Sequence, residues 1–216
     1  MAGATGPGAW RRSLRRPEAL AAISAWTAVA VMLLIASAVV ARRPVTSLEI
    51  EIFQAVNDLP QWLHTAIWPL MQYGTFFTIP VLAAVALAFR RVRLAVAMLV
   101  AGIGVYLLAK LVKGLVERER PGSVLAGITE RERFDVGSLG FPSGHAAVAS
   151  ALTFVVWRHL GPRWGIAALG LAIAVMIGRM YVGAHLPLDL VGGAALGAVT
   201  AGIANVVAPP ELADMH

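Results

Sequence analysis

The sequence predicts an all-α, polytopic membrane protein with about six transmembrane helices. Of its 216 residues, 58% are hydrophobic and 14% are charged, and the mean hydropathy is +0.74, whereas soluble domains carry roughly 25% charged residues. Because a helical span needs about 20 apolar residues, the chain has no room for a large soluble domain. It contains no cysteine, which excludes disulfides and thiolate metal sites.

The hydropathy divides the chain into a membrane domain between two tails. Residues 1–18 contain RRSLRR and are predicted to be a disordered, basic, cytoplasmic tail. Residues 19–207 form the membrane domain, and residues 208–216 form a short C-terminal tail. The first apolar run, 19–41, includes ASA, the A-x-A form of a signal-peptide cleavage site. The run is longer than the usual signal core of about 7–15 residues, so we predict an anchor that is not cleaved.

Five further apolar runs predict the other spans. Pro69 and Pro80 fall inside the first of these, where neighbouring helices can satisfy the carbonyl groups that a proline frees. Before it, residues 42–65 mix charged and apolar positions and predict a short amphipathic helix at the surface, with no recognisable chemistry. The predicted spans cover residues 66–89, 94–112, 144–159, 164–182 and 187–207.

The last predicted span is crowded with small residues, which let a neighbouring helix approach closely. Ordinary helix packing is enough to explain them, so we assign them no role in chemistry. They are Gly192, Gly193, Ala194, Gly197 and Ala198.

The positions of the arginines predict how the chain crosses the membrane. If six spans alternate, most arginines outside the charged motifs fall on one side, which the positive-inside rule assigns to the cytoplasm. Both termini are then cytoplasmic, and the loop 118–141 and the turn at His185 face outward from the cell membrane. Topology and motifs together account for the net charge of +6, so nucleic acid is not an expected partner. The cytoplasmic arginines are Arg11, Arg12, Arg15, Arg16, Arg90, Arg91, Arg93, Arg158 and Arg163.

Three short segments place charged or histidine side chains beside apolar runs. They read KGLVERERP from Lys113, FPSGH from Phe141 and RMYVGAHLPLD from Arg179. Ionisable residues are costly at membrane depth and mark functional sites by default. Together the segments supply cations, two histidines, an aspartate and a Gly-Ser turn, which is the inventory of a phosphate site with a histidine nucleophile.

The first segment predicts a pair of cations for an anion. Lys113 and Arg120 are seven residues apart, about two helical turns, and share a face if the third span continues to Arg120. Pro121 then ends that helix. The planar fork of arginine suits phosphate oxygens, although Lys113 alone would more often be an interface anchor. Arg118 is interpreted as a loop charge between two glutamates.

The second segment predicts an anion site at the start of the fourth span. The free N–H groups of a helix N-terminus bind anions. Ser143 can cap the helix or donate to a phosphate oxygen, and Gly144 lets the backbone come close. His145 would stand in the first turn beside the anion, where a structural hydrogen bond is the alternative to catalysis.

The third segment pairs a histidine with a carboxylate. His185 lies four residues before Asp189, and Pro187 suits the first position of the sixth span. A carboxylate there can fix one ring nitrogen and leave the other free to attack. Arg179 would complete the anion clamp. Singly, Arg179 could be an interface anchor and Asp189 a charge partner of the helix N-terminus.

These motifs resemble the signature of the type 2 phosphatidic acid phosphatase (PAP2) superfamily, which is K-x6-R-P, then P-S-G-H, then S-R-x5-H-x3-D. Order and spacing match at 113–121, 142–145 and 179–189. Gly178 stands where the family usually has Ser, which removes a hydroxyl near the phosphate and touches no central catalytic role. The resemblance implies a PAP2/haloperoxidase-like helical core.

The resemblance also implies roles for the site residues. His185 would attack phosphorus to form a phosphohistidine, Asp189 would orient and stabilise His185, and His145 would protonate the leaving oxygen and then activate water. No carboxylate cluster able to hold a divalent metal is visible, so we expect metal-independent turnover and no cofactor. The transferring group would be held by Lys113, Arg120, Ser143, Gly144 and Arg179.

The function that the resemblance implies is a lipid phosphatase at the outer face of the cytoplasmic membrane. The expected partners are the bilayer and a lipid phosphate, with polyprenyl pyrophosphate as first choice because small members resembling this chain often recycle such carriers. Phosphatidic acid, phosphatidylglycerol phosphate, other prenyl-linked phosphates and phosphotransfer to an acceptor other than water are the alternatives. A transporter is the non-enzyme alternative, but transporters bind near the bilayer midplane, whereas these charges lie at helix ends. No oligomeric state is predicted.

Overall fold

The computed structural model describes residues 17–133 and 137–210, with side chains from residue 25 onward. Within these residues the fold is helical, with one isolated β-bridge between Glu119 and Leu139. Short 3-10 turns at Gln61–Leu63 and Gln72–Gly74 flank the third helix. The α-helices are α1 Pro17–Ala41, α2 Ser47–Asn57, α3 His64–Met71, α4 Thr78–Ala88, α5 Val92–Val116, α6 Pro121–Val124, α7 Gly144–Leu160, α8 Pro162–Tyr181 and α9 Pro187–Val207.

The predicted all-α membrane fold is confirmed. The six expected spans correspond to α1, the α3–α4 pair, α5, α7, α8 and α9. By length and composition, α5, α8 and α9 can each cross a membrane, and the α3–α4 pair makes a fourth crossing if it counts as one span. Helix α7 is shorter, with 17 residues, and the part of α1 whose side chains are described, Ala25–Ala41, is apolar.

Helix α9 is the centre of the bundle, packing against α7, α1 and α5. Its small residues allow this, as predicted from the sequence. A Cβ added at Gly193 would collide with the carbonyl oxygen of Ser143, and one added at Gly197 would collide with that of Ala147. On another face, a Cβ at Gly202 would collide with the hydroxyl of Thr27 in α1. The glycines therefore set the short distances between α9 and its neighbours.

The second predicted span, 66–89, is wrong as a continuous helix. The helix is interrupted between Met71 and Thr78, and its two parts are bent by 68° relative to each other. The carbonyl oxygen of Gln72 accepts hydrogen bonds from the hydroxyls of Thr75 and Thr78. Hydroxyls that satisfy a freed carbonyl make such a break tolerable inside a membrane. The two prolines remain inside helical segments, whereas the bend lies between them.

The predicted surface helix within 42–65 is also corrected. Helix α2 buries Phe53 and Asn57, which are 0% and 1% exposed. The Asn57 amide donates to the carbonyl oxygens of Met180 at 3.3 Å and Tyr181 at 3.1 Å. This helix is therefore fixed against the C-terminal end of α8, because a buried amide must find hydrogen-bond partners.

The predicted tails fall mainly outside the described residues. The tail 1–18 overlaps them only at positions 17 and 18, which belong to α1, and residues 211–216 of the second tail lie beyond them. Helix α9 ends at Val207, the residue at which the membrane domain was predicted to end.

Substituting Gly197 by Val is expected to lower the thermal unfolding temperature in detergent. The new side chain would collide with the Ala147 carbonyl and lie 2.7 Å from the amide nitrogen of Ala151. Such overpacking typically costs about 1–3 kcal/mol. Gly170→Ala in α8 is the matched control, since a Cβ there meets nothing within 4 Å. An unchanged unfolding temperature for Gly197→Val would contradict the close contact between α7 and α9.

Candidate active site

The three charged motifs meet at one end of the bundle. The Ser143 amide donates to the Asp189 carbonyl oxygen at 2.9 Å, which joins the starts of α7 and α9. Arg120 donates to the carbonyl oxygen of Ala184 at 3.0 Å, beside His185. Gly140 lies so close that an added Cβ would be 3.1 Å from Asp189 Oδ2. Residues far apart in sequence thus converge on one polar site.

The start of α7 is built as the sequence predicts. Ser143 is the N-cap residue, and its hydroxyl accepts from the Ala146 amide at 3.5 Å. A Cβ added at Gly144 would meet no other group within 4 Å, so the space beside the helix N-terminus is open. His145 stands in the first turn, within electrostatic reach of Arg120, Arg179 and His185. An anion that enters this space meets N–H groups and cations together.

His185 and Asp189 form the pair that the third motif predicts. The His185 Nδ1 atom lies 3.6 Å from Asp189 Oδ2, with side chains that are 3% and 0% exposed. Asp189 Oδ2 also accepts the Leu186 amide at 2.9 Å, as a carboxylate does in the first turn of a helix. The same oxygen of Asp189 therefore binds the helix start and faces the histidine ring. This arrangement directs Nδ1 towards the carboxylate and leaves Nε2 on the opposite side of the ring.

The surroundings of His185 favour the neutral form of its imidazole. Burial lowers its pKa well below the usual value, and the charges of Arg179, Arg120 and Lys113 lower it further, against a smaller opposing effect of the Gly140 carbonyl. A lowered pKa means that the ring binds a proton less readily, so the neutral ring persists to lower pH. Only the neutral ring has a lone pair for attack on phosphorus.

Three of the predicted cations surround this pair, each with a partner from the loop before α7. Lys113 Nζ donates to the Leu139 carbonyl at 2.6 Å. Arg120 donates to Ser138 at 2.7 Å. Arg179, which is 5% exposed, binds the carboxylate of Glu132 at 2.7 Å. The Arg179 guanidinium thus already binds an oxyanion, as a phosphate clamp must.

The route by which Lys113 and Arg120 converge differs from the prediction. Helix α5 ends at Val116, Glu117 adopts a left-handed conformation, and Arg120 is extended. Pro121 begins the short helix α6 instead of ending α5. The two cations therefore do not share a helical face, and the turn at Glu117 brings Arg120 to the site.

Arg118 was interpreted as a loop charge, and this is wrong. Its side chain is 6% exposed and forms an ion pair with Glu49 of α2 at 2.6 Å and another with Asp189 at 3.0 Å. Residues 42–65, which were predicted to carry no chemistry, supply this Glu49. No local pattern signals the contact, because Arg118 and Glu49 are 69 residues apart in sequence.

The space beside Gly178, the position at which the family usually has Ser, is occupied by the side chain of Met71 in α3. A Cβ there would lie 2.5 Å from Met71 Cγ and 2.8 Å from its sulfur. Glycine at this position therefore allows α3 to pack closely against α8, and a serine would require Met71 to move.

Among the described residues, no group of three or more His, Asp or Glu side chains could hold a metal ion. Three carboxylates at the described part of the site are bound to arginines, Asp189 and Glu49 to Arg118 and Glu132 to Arg179. The donor set of the site therefore favours an anion over a cation.

Fold and site together define a helical membrane protein with a cluster of cations and two histidines at one end of its bundle. The family model of the PAP2 superfamily matches residues 90–211, and the chain belongs to this superfamily. It is 32% identical to the decaprenylphosphoryl-5-phosphoribose phosphatase of Mycobacterium tuberculosis over 161 residues, which cover 71% of this chain and 84% of that protein.

Two further relatives agree with this assignment. A lipid A 1-phosphatase of Rhizobium johnstonii is 34% identical over 99 residues, which cover 43% of this chain but only 38% of that protein. The crystal structure of a PAP2-type phosphatidylglycerolphosphate phosphatase from Bacillus subtilis superimposes with a TM-score of 0.67 at 22% identity, covering 83% of this chain and 94% of that one. The chain therefore stands among the membrane phosphatases of the PAP2 superfamily.

His185 is expected to be neutral at pH 6.5, where an ordinary histidine is about half protonated. The reason is its burial among cations, which lowers its pKa. Nitrogen NMR of protein labelled at histidine, titrated in detergent, would measure this, with His185→Gln identifying the signal. A titration midpoint at or above pH 6.5 for that signal would contradict the geometry described.

Proposed function

We propose that this protein hydrolyses a phosphate or pyrophosphate monoester of a lipid through a phosphohistidine intermediate. The observation that carries the proposal is the buried His185, which faces Asp189 at 3.6 Å and lies within electrostatic reach of Lys113, Arg120 and Arg179. A nucleophile, its orienting carboxylate and an anion clamp are the parts that phosphoryl transfer through histidine requires.

In the first step, the Nε2 lone pair of His185 attacks phosphorus and the bond from phosphorus to the leaving oxygen breaks. His145 donates a proton to that oxygen. In the second step, His145 takes a proton from water, the water oxygen attacks the phosphohistidine, and the bond between phosphorus and nitrogen breaks. Inorganic phosphate leaves and His185 is restored, with Asp189 compensating the charge on the ring during the cycle.

The transferring group would be held by Lys113, Arg120 and Arg179, and by the N–H groups at the start of α7 beside Ser143 and Gly144. Cations and fixed N–H dipoles in a water-poor site are usually the largest single contribution to such catalysis. We propose that they supply the charge compensation that a metal provides elsewhere, so that turnover is metal-independent. The donor set of the site supports this, since its carboxylates are engaged by arginines.

The first-choice substrate is polyprenyl pyrophosphate, converted to polyprenyl phosphate at the outer face of the cytoplasmic membrane, with both termini in the cytoplasm. A second candidate is a prenyl-linked sugar phosphate. It is favoured by one observation, the 32% identity to a decaprenylphosphoryl-5-phosphoribose phosphatase. Both substrates present a terminal phosphate on a polyprenyl carrier, and the same site would act on either.

Purified protein in detergent with excess chelator is expected to release inorganic phosphate from a polyprenyl pyrophosphate. The His185→Ala protein, which lacks the nucleophile, should lose about 10³-fold or more of this rate. A prenyl-linked sugar phosphate and phosphatidic acid are tested in parallel, and glycerol is added to detect transfer to an acceptor other than water.

The controls separate the parts of the proposal. His159→Gln, at the other end of α7, is the matched histidine variant and should keep its rate. Release of phosphate from phosphatidic acid alone would indicate a role in phospholipid metabolism. Complete loss of activity in chelator, with recovery on adding magnesium, would disprove metal-independent turnover. A wild-type rate for the His185→Ala protein would disprove the role of His185 as nucleophile.

His145→Gln is expected to slow substrates with poor leaving groups more than those with good ones. The reason is that a good leaving group departs without a proton, so only its second step suffers, whereas general acid catalysis is typically worth about 10²–10⁴-fold. Comparing burst rates for an aryl phosphate and an alkyl phosphate measures the first step alone. Equal losses for both would disprove the acid role of His145.

A further inference from the structure

A buried ion pair lies directly behind the proposed nucleophile and its carboxylate. Arg118 sits in the turn after α5, and Glu49 in the first turn of α2. Arg118 Nη2 donates to Glu49 Oε2 at 2.6 Å, and Nη1 to Glu49 Oε1 at 3.0 Å. The side chains are only 6% and 10% exposed. Two parallel N–H···O bonds fix the plane of the guanidinium as well as its position.

The same guanidinium also binds Asp189. Arg118 Nη1 donates to Asp189 Oδ1 at 3.0 Å, while the other carboxylate oxygen, Oδ2, faces His185. Glu49 Oε1 accepts in addition from the Leu188 amide at 3.1 Å, so Glu49 holds both the arginine and the first turn of α9. The two oxygens of Asp189 thus have separate partners, with Arg118 on one and His185 on the other.

The buried carboxylate of Asp189 requires the positive charge of Arg118. The Asp189 side chain is 0% exposed, and a buried carboxylate is strongly disfavoured unless it is paired. Burial alone would lower the pKa of Arg118, but the hydrogen bonds and charges of Glu49 and Asp189 raise it above its ordinary value. The guanidinium therefore stays charged and can hold Asp189 as an anion beside the imidazole.

We propose that Arg118, held in place by Glu49, is a positioning residue that fixes the Asp189 carboxylate so that its second oxygen orients His185 for attack. This inference rests on the proposed function, in which His185 is the nucleophile. Neither residue touches the reacting phosphorus in this scheme. Both act through Asp189, and Glu49 extends the site to α2, an element remote in sequence from all three motifs.

A purely structural role would be to neutralise Glu49, and a double substitution separates the two roles. Arg118→Gln leaves Glu49 buried without its partner, and both thermal stability and kcat should fall. In the Glu49→Gln/Arg118→Gln protein the buried charge of Glu49 is removed as well, so stability should recover in part, while Asp189 still lacks its cationic partner. Its kcat should stay about 10–100-fold below wild type, which is the usual effect of removing a partner that orients a functional side chain, while KM changes little.

A second measurement uses Asp189 itself. If Arg118 acts through Asp189, then Arg118→Lys, which keeps the charge but loses the fork, should lower kcat in the wild-type background and cause no further loss in Asp189→Asn. Glu119→Gln, an exposed neighbour in the same turn, is the matched control and should keep its rate and stability.

The outcomes are distinct from those that test the proposed function. A wild-type kcat in the Glu49→Gln/Arg118→Gln protein, or an equal loss from Arg118→Lys with and without Asp189→Asn, would leave the phosphatase in place and overturn the positioning role. A wild-type protein that releases no phosphate from the lipids tested above would overturn the proposed function and this inference together.

Discussion

The site depends on the close contact between α7 and α9. Because Gly193 and Gly197 have no side chains, the backbones of the two helices come close enough for the Ser143 amide to donate to the Asp189 carbonyl at 2.9 Å. That bond brings His145, in the first turn of α7, and His185, just before α9, to the same end of the bundle. Packing of small residues is a main source of helix association in membranes, so the force that builds the bundle also assembles the site.

Electrostatics at this end of the bundle follow from that placement. Cations and anions are arranged in pairs, with Arg118 between Glu49 and Asp189 and Arg179 on Glu132. Lys113 and Arg120 also donate to neutral oxygen atoms of the loop before α7. This loop therefore helps to hold both cations beside the histidines.

The sequence predicted what is local and missed what is long-range. The long helices α5, α8 and α9 follow from apolar runs, the Ser143 cap follows from a capping residue, and the three motifs converge as their shared phosphate chemistry predicts. The helix is interrupted near Gln72, where two hydroxyls donate to the Gln72 carbonyl oxygen. The prolines of this span lie on either side of the interruption, so their positions do not predict it. Arg118 was missed because its partner lies 69 residues away, and no periodicity links a turn after α5 to the first turn of α2.

The length of α7 has a consequence for how a substrate reaches the site. Seventeen residues rise about 25 Å, whereas the hydrocarbon core is about 30 Å thick. If the other end of α7 lies near one membrane surface, a helix of this length places its start below the opposite headgroup layer. A long-chain lipid can then present its phosphate by a small inward displacement and keep its tail in hydrocarbon. Extraction into water would instead cost about 0.8 kcal/mol for every CH₂ group exposed, so the cost rises with the length of the chain.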